Sequence, residues 1–222
     1  MSLTQLASTD AQKVVTIHEF IKAMPFGGVA GFDHLPAAAV LRSAYSDCHI
    51  KGTLCVALLR CVGLPARLRF VALSRAFLHG TIPPPQNTVI HAIGQVCLDG
   101  GWVQTDTEVT DSELETSAEK LRLNQGRKLG DGILLVGARQ WDALNDARGQ
   151  SAASDVARLP VRNLGVAHDP EQFYASADHL SPRRGGLTRA KWLLAVGLVN
   201  RHTQQVRLSG MANADQRWDS ER

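Results

Sequence analysis

Asp47-Cys48-His49-Ile50-Lys51-Gly52-Thr53-Leu54 runs on through Ala57-Leu58-Leu59-Arg60 into Gly63-Leu64-Pro65-Ala66-Arg67. An apolar pattern of helical period begins at Cys48 and stops at Gly63, with a proline two residues later. Those are start and stop signals for one helix. A thiol in the first turn of a helix sits among backbone N–H groups that have no intrahelical partner and near the positive end of the macrodipole. Both favour thiolate, the nucleophilic form of cysteine. The spacing therefore predicts a helix that presents Cys48 at its start.

Downstream the period changes from helical to alternating. Arg67 to Leu73 reads as a half-buried strand, Val89 to Leu98 as a second and Trp102 to Thr107 as a third. Ser74 to Asn87 contains Pro83-Pro84-Pro85 and reads as an exposed loop, and Asp99-Gly100-Gly101 is a hairpin signal. Ser112 to Leu123 reads as a helix, with Ser112 as cap and Glu115 completing a capping box. Ile133 to Val136 reads as a short strand, and Arg139 to Leu159 as a polar surface excursion. Asp169-Pro170-Glu171-Gln172-Phe173-Tyr174 has the form of a short helix with proline at its first position. Leu187 to Leu208 reads as a long terminal helix.

Upstream, Ser8, Thr9 or Asp10 caps a first helix carrying Val14, Val15, Ile17, Phe20, Ile21 and Met24 at helical spacing. Pro25-Phe26-Gly27-Gly28 ends it, and Ala37 to Tyr45 reads as a short second helix. Helices followed by an antiparallel meander make an α+β architecture. One domain over residues 1–222 is expected, with a core over about 8–137 and an extension over 138–222.

The composition narrows the function. The chain has 222 residues, 44% of them apolar and 20% charged, with a net charge of +3. It carries no long basic block and no zinc-finger spacing, so nucleic acid is not an expected partner. Four cysteines stand at 48, 55, 61 and 97 without a CxxC pair. No metal site and no cofactor is expected from them. Cys48 and Cys55 lie two turns apart on one helix, too far for a disulfide, and the cysteines read as reduced thiols of a cytoplasmic protein. No signal peptide is evident in the first residues. The longest apolar stretch, Trp192 to Val199, falls short of the roughly 20 residues a spanning helix needs. The terminal helix is expected to dock its apolar face on the core, with association to an anionic membrane surface as the lesser alternative.

The stretch from Asp47 to Asp106 resembles the transglutaminase-like superfamily, relatives of the papain-type cysteine proteases. The Asp47-Cys48 segment carries the resemblance, with Leu54, Ala57, Leu58, Leu59 and Arg60 behind it. So do the Gly63-Leu64-Pro65-Ala66-Arg67 elbow, His91-Ala92, and Trp102-Val103-Gln104-Thr105-Asp106. The likeness covers roughly residues 40–110. It implies a nucleophile at a helix start packed on an antiparallel sheet, with Cys48 as nucleophile, His91 as base and Asp106 as orienter of the imidazole. It also implies a peptide, amide or acyl-thioester substrate, carrier-bound if the enzyme is a biosynthetic acyltransferase or cyclase. His49 stands where many relatives carry tryptophan, and Ile93 where many carry an aromatic residue. The second oxyanion donor is left unassigned.

Two positions keep alternatives. His49 adjoins Cys48 and rivals His91, although neighbours on a helix point about 100° apart. A two-residue turn at Gly100-Gly101 would pair Gln95 with Asp106 and set His91 about 13 Å from Asp106 along the ladder. Glu108 is then the alternative orienter, unless a bulge at Gly94 closes the gap. The expected activity is acyl transfer through a Cys48 acyl-enzyme: amide or thioester hydrolysis, transamidation or transacylation. The alternative is a binding or scaffold module on the same fold without turnover.

Overall fold

The computed structural model describes residues 3–29, 35–74, 88–105, 111–124, 141–147, 160–176 and 193–209. Helix α1 spans Asp10–Lys22, α2 Ala37–Val40 and α3 Cys48–Cys61. Strand β1 spans Ala66–Ser74, β2 Thr88–Leu98 and β3 Gly101–Gln104. Helix α4 (Ser112–Asn124), strand β4 (Pro160–Ala167) and helix α5 (Pro170–Ser176) follow. A last helix, α6, covers residues 193–209. The α+β expectation holds, with N-terminal helices on a four-stranded antiparallel sheet ordered β3-β2-β1-β4.

Local chemistry explains the helix ends. Thr9 caps α1 in a complete capping box with Gln12. α3 ends where Gly63 takes φ 85. There the Leu64 N–H donates to Leu59 O, and the Gly63 N–H donates to Arg60 O, each at 3.0 Å. This left-handed glycine closure satisfies the last carbonyls of the helix. Gly52 lets α3 lie close on the sheet, because a Cβ there would come within 2.9 Å of Leu68 Cδ2. α2 stops at Val40, short of the expected Tyr45.

α3 touches α1 and α2 as well as β1 and β2. Ile50, Leu54 and Leu59 meet Val14, Ile17 and Ile21 of α1 and Leu68, Phe70, Ala92 and Val96 of the sheet in one buried cluster. The strand pleat assigns the faces. Phe70 pairs with Ala92 and turns toward this cluster, whereas Val71 pairs with His91 in the alternate set.

Four expectations change. The hairpin turn is Asp99-Gly100, at φ 50 and 81, so Leu98 pairs with Gly101 and Gln95 with Gln104. Two successive positive φ values are what a two-residue hairpin of right-handed twist requires. The pairing of Gln95 with Asp106, and the long gap built on it, therefore falls. α4 is capped one residue early: Asp111 Oδ1 accepts from the Leu114 N–H at 3.0 Å. The excursion over 139–159 is not wholly at the surface, since Trp141, Ala143 and Ala147 are buried in the core. Asp146 Oδ1 also accepts from the Gln104 N–H at 2.8 Å, closing the edge of β3. Finally, β4 was not foreseen. It pairs with β1 through two register shifts, with Gly165 at φ 107 beside one of them. Residues 160–176 thus belong to the sheet and core. The expected strand over Ile133 to Val136 and the loop over residues 75–87 lie outside the described residues.

α6 is tied to the N-terminal half by one buried charge pair. Arg207 Nη2 donates to Asp111 Oδ2 at 2.6 Å and to Phe26 O at 3.0 Å. The Phe26 N–H donates to the same carboxylate. Burial alone would raise the Asp111 carboxyl, but Arg207 and the N–H groups of Phe26 and Leu114 hold it below its ordinary value. Val206 and Thr203 of α6 are buried, whereas Leu194 and Leu198 are exposed. No described helix is long and apolar enough to cross a membrane. Asp111→Ala should cost about 3–5 kcal/mol in urea unfolding, because it strands the Arg207 charge in a buried site and removes the α4 cap. A loss below about 1 kcal/mol would mean that the clamp carries no weight.

Candidate active site

Cys48 is the first residue of α3, and Asp47 caps the helix. Asp47 Oδ1 accepts from the His49 N–H at 3.0 Å and the Ile50 N–H at 3.2 Å. The cap fixes where the helix begins and so which residue stands at its first position. The location has an electrostatic cost. Burial pushes the Asp47 carboxyl up to about 6, against the opposing effect of the two N–H bonds.

All four cysteines are free: Cys48 is half-buried, Cys55 buried, Cys61 exposed and Cys97 half-buried. Cys55 Sγ lies 3.8 Å from the Thr105 hydroxyl, which bridges α3 to the end of the hairpin.

His49 lies against the nucleophile candidate. Its Nδ1 is 3.3 Å from Cys48 Sγ. Its Nε2 is 3.2 Å from the Tyr174 hydroxyl. The argument that helix neighbours diverge does not apply at this spot. The imidazole is buried beneath α5, and its ring lies 6.1 Å from that of Tyr174 and 6.0 Å from that of Phe70. Burial, and then the charge of His91, push His49 down to about 3. His49 is therefore a neutral imidazole at ordinary pH.

His91 is buried on β2, opposite Val71. Its charge is the second cause, after burial, of the lowered His49 value. Beyond β3, the Thr105 N–H still donates to Gly94 O at 2.9 Å, so the hairpin ladder runs up to the residue before Asp106. Asp106 itself and its alternative Glu108 lie outside the described residues. Arg67, on the strand after the elbow, lies over the Trp102 ring at 3.8 Å and donates to Gln95 Oε1 at 2.9 Å.

Asp47, Cys48 and His49 each offer one possible ligand atom, all within 4.8 Å of one another. In the structure, Asp47 Oδ1 holds the helix N–H groups, while Sγ and Nδ1 hold each other. Sequence reasoning missed Tyr174 as a site residue. The α5 helix that carries it was legible, but the contact with His49 spans 125 residues and leaves no local signal.

Residues 1–107 match the family model of the transglutaminase-like superfamily. No curated protein and no solved structure matches the chain.

The neutral state of His49 has a consequence for stability. Its folded value, about 3, lies below the ordinary 6.5, so on acidification the unfolded chain takes up the proton first. Stability that is full above pH 6.5 is lost as the pH falls toward about 3. Asp47 acts in the opposite sense: its stability contribution is full below 3.8 and is lost as the pH rises through about 6. A comparison with His49→Asn isolates the histidine, because Asp47 is present in both proteins. Between pH 7 and pH 4 the stability difference should move against wild type by roughly 3 kcal/mol. A difference that stays constant with pH would contradict a buried neutral His49.

Proposed function

We propose, from the match of residues 1–107 to the family model of the transglutaminase-like superfamily, that the protein is a cysteine-dependent acyl-transfer enzyme. The observation that carries this reading is the position of Cys48. It is the first residue of a capped helix, is partly accessible, and lies within hydrogen-bond distance of an imidazole nitrogen. A helix start favours the anion, and a nearby donor steadies it.

In the proposed reaction His91 takes the Cys48 proton, and the sulfur attacks the carbonyl carbon of an amide or thioester. The tetrahedral oxyanion is met by the Cys48 N–H at the start of α3. Collapse breaks the bond to the leaving amine or thiol, which receives the proton from His91, and leaves the acyl group on sulfur. Water or an amine then gives its proton to His91 and attacks the thioester, which restores the thiol. Asp106 orients the imidazole and stabilises its charged form. His49 lies at contact distance but suits the base role poorly. A group that protonates only at about 3 takes up little proton at neutral pH.

Intact-mass spectrometry with p-nitrophenyl esters, N-acetylcysteamine thioesters and glutamine peptides tests the reading. An acyl adduct should appear on the Cys48 peptide and vanish in Cys48→Ala. His91→Ala should slow adduct formation at least about 100-fold while folding stays near wild type. No adduct with any donor, or an adduct on Cys61 alone, would favour the binding-module alternative. Activity should also survive EDTA and phenanthroline. Stoichiometric zinc whose removal abolishes turnover would replace the thiolate mechanism with a metal-bound water.

A further inference from the structure

The site has a part that the family match does not reach. α5 begins at Pro170, well beyond residue 107. Phe173 stacks on Phe70 of β1 with ring centroids 3.9 Å apart and planes 2° apart. That stack seats α5 on the sheet and aims the next residue, Tyr174, at His49. Tyr174 is only 8% exposed, and its hydroxyl lies 3.2 Å from His49 Nε2. The other nitrogen of the same ring lies 3.3 Å from Cys48 Sγ.

We propose that Tyr174 and His49 form a relay that holds the Cys48 sulfur as thiolate, so that α5 is a working part of the site. This rests on the reading of Cys48 as the nucleophile. A neutral imidazole has one N–H and one bare nitrogen. A thiol gives the ring two ways to bond both neighbours: sulfur can donate to Nδ1 while Nε2–H donates to Tyr174, or the reverse. A thiolate has no proton to give, so only the reverse arrangement serves it. Tyr174 O–H then donates to Nε2, and Nδ1–H donates to the sulfur. Burial keeps the ring neutral, as its lowered value of about 3 requires. His49 and Tyr174 are positioning residues here. The proton removed in each cycle still goes to His91.

The relay predicts how the thiol titrates, which can be read without turnover. Iodoacetamide alkylation of the full-length chain is followed at Cys48 by peptide mapping from about pH 5 to 10. Tyr174→Phe keeps the buried ring and removes only the hydroxyl. Its alkylation midpoint should rise by about half to one unit, and the neutral-pH rate should fall about three- to tenfold. His49→Leu should give a shift at least as large. His49→Asn puts an amide N–H near the place of Nδ1 and should restore a midpoint close to wild type. In that background Tyr174→Phe should add nothing, because an amide needs no tautomer chosen for it. A Tyr174→Phe profile superimposable on wild type would overturn the relay. Equal shifts in His49→Leu and His49→Asn would do the same, and this pair remains decisive should Tyr174→Phe fail to fold. The two proposals fail separately. Shifted profiles without any acyl adduct would remove the acyl-transfer reading and keep the relay; unshifted profiles with normal adduct formation would do the reverse.

Discussion

The rest of the site depends on the carboxylate of Asp47. Two N–H groups of the first turn end on one of its oxygens, and that decides where α3 begins. Move the start by one residue and Cys48 leaves the position where the helix N–H groups and the dipole act on its sulfur. The cap is buried, and the carboxyl is pushed up to about 6 in consequence. The protein thus keeps an unfavourable buried acid at the point where it gains a defined helix start. This is the pattern expected where local stability is given up for a site.

Around that point the packing is unusually aromatic for a chain with 5% aromatic residues. Phe70, Phe173, Tyr174 and His49 form one connected group of rings. Phe70 comes from β1, His49 from α3, and the other two from α5. The group joins the two halves of the chain beside Cys48. Arg60 adds a second tie, donating to Ala66 O at 2.8 Å and lying 3.0 Å from His168 Nδ1. The C-terminal half therefore completes the layer that encloses the site, in addition to extending the sheet by one strand.

The sheet shows how edge strands escape sequence reading. β1 and β2 are central and pair with each other in a register without shifts. β4 opens on Pro160, carries Asn163 and Gly165, and slips register twice. Each of those residues lowers strand propensity, and each is tolerated because an edge strand can bulge and need not donate along its outer side. Asp146, which closes the edge of β3, also comes from a stretch whose polar composition reads as surface.

The local framework was legible in the sequence. Cys48 and Gly63 mark both ends of α3, the run Ser8-Thr9-Asp10 marks the start of α1, and the strand-like runs mark β1 and β2. These features depend on residues within a few positions of one another, where propensity, capping and period act directly. The sequence also carried the family resemblance, through the order of cysteine, elbow and histidine. The hairpin shows the limit of such reading: Asp99-Gly100-Gly101 announced a turn, but which two residues occupy it follows from strand twist and was settled by a ladder that pairs Gln95 with Gln104. Only the tertiary structure decided that His49 meets Cys48 and that Tyr174 meets His49. Those contacts exist because α5 is held on Phe70 by a strand that pairs with β1 across some 90 residues of chain. Loop closure over such a distance leaves no periodic trace in sequence, since its free energy comes from the packed core and not from any neighbouring residue.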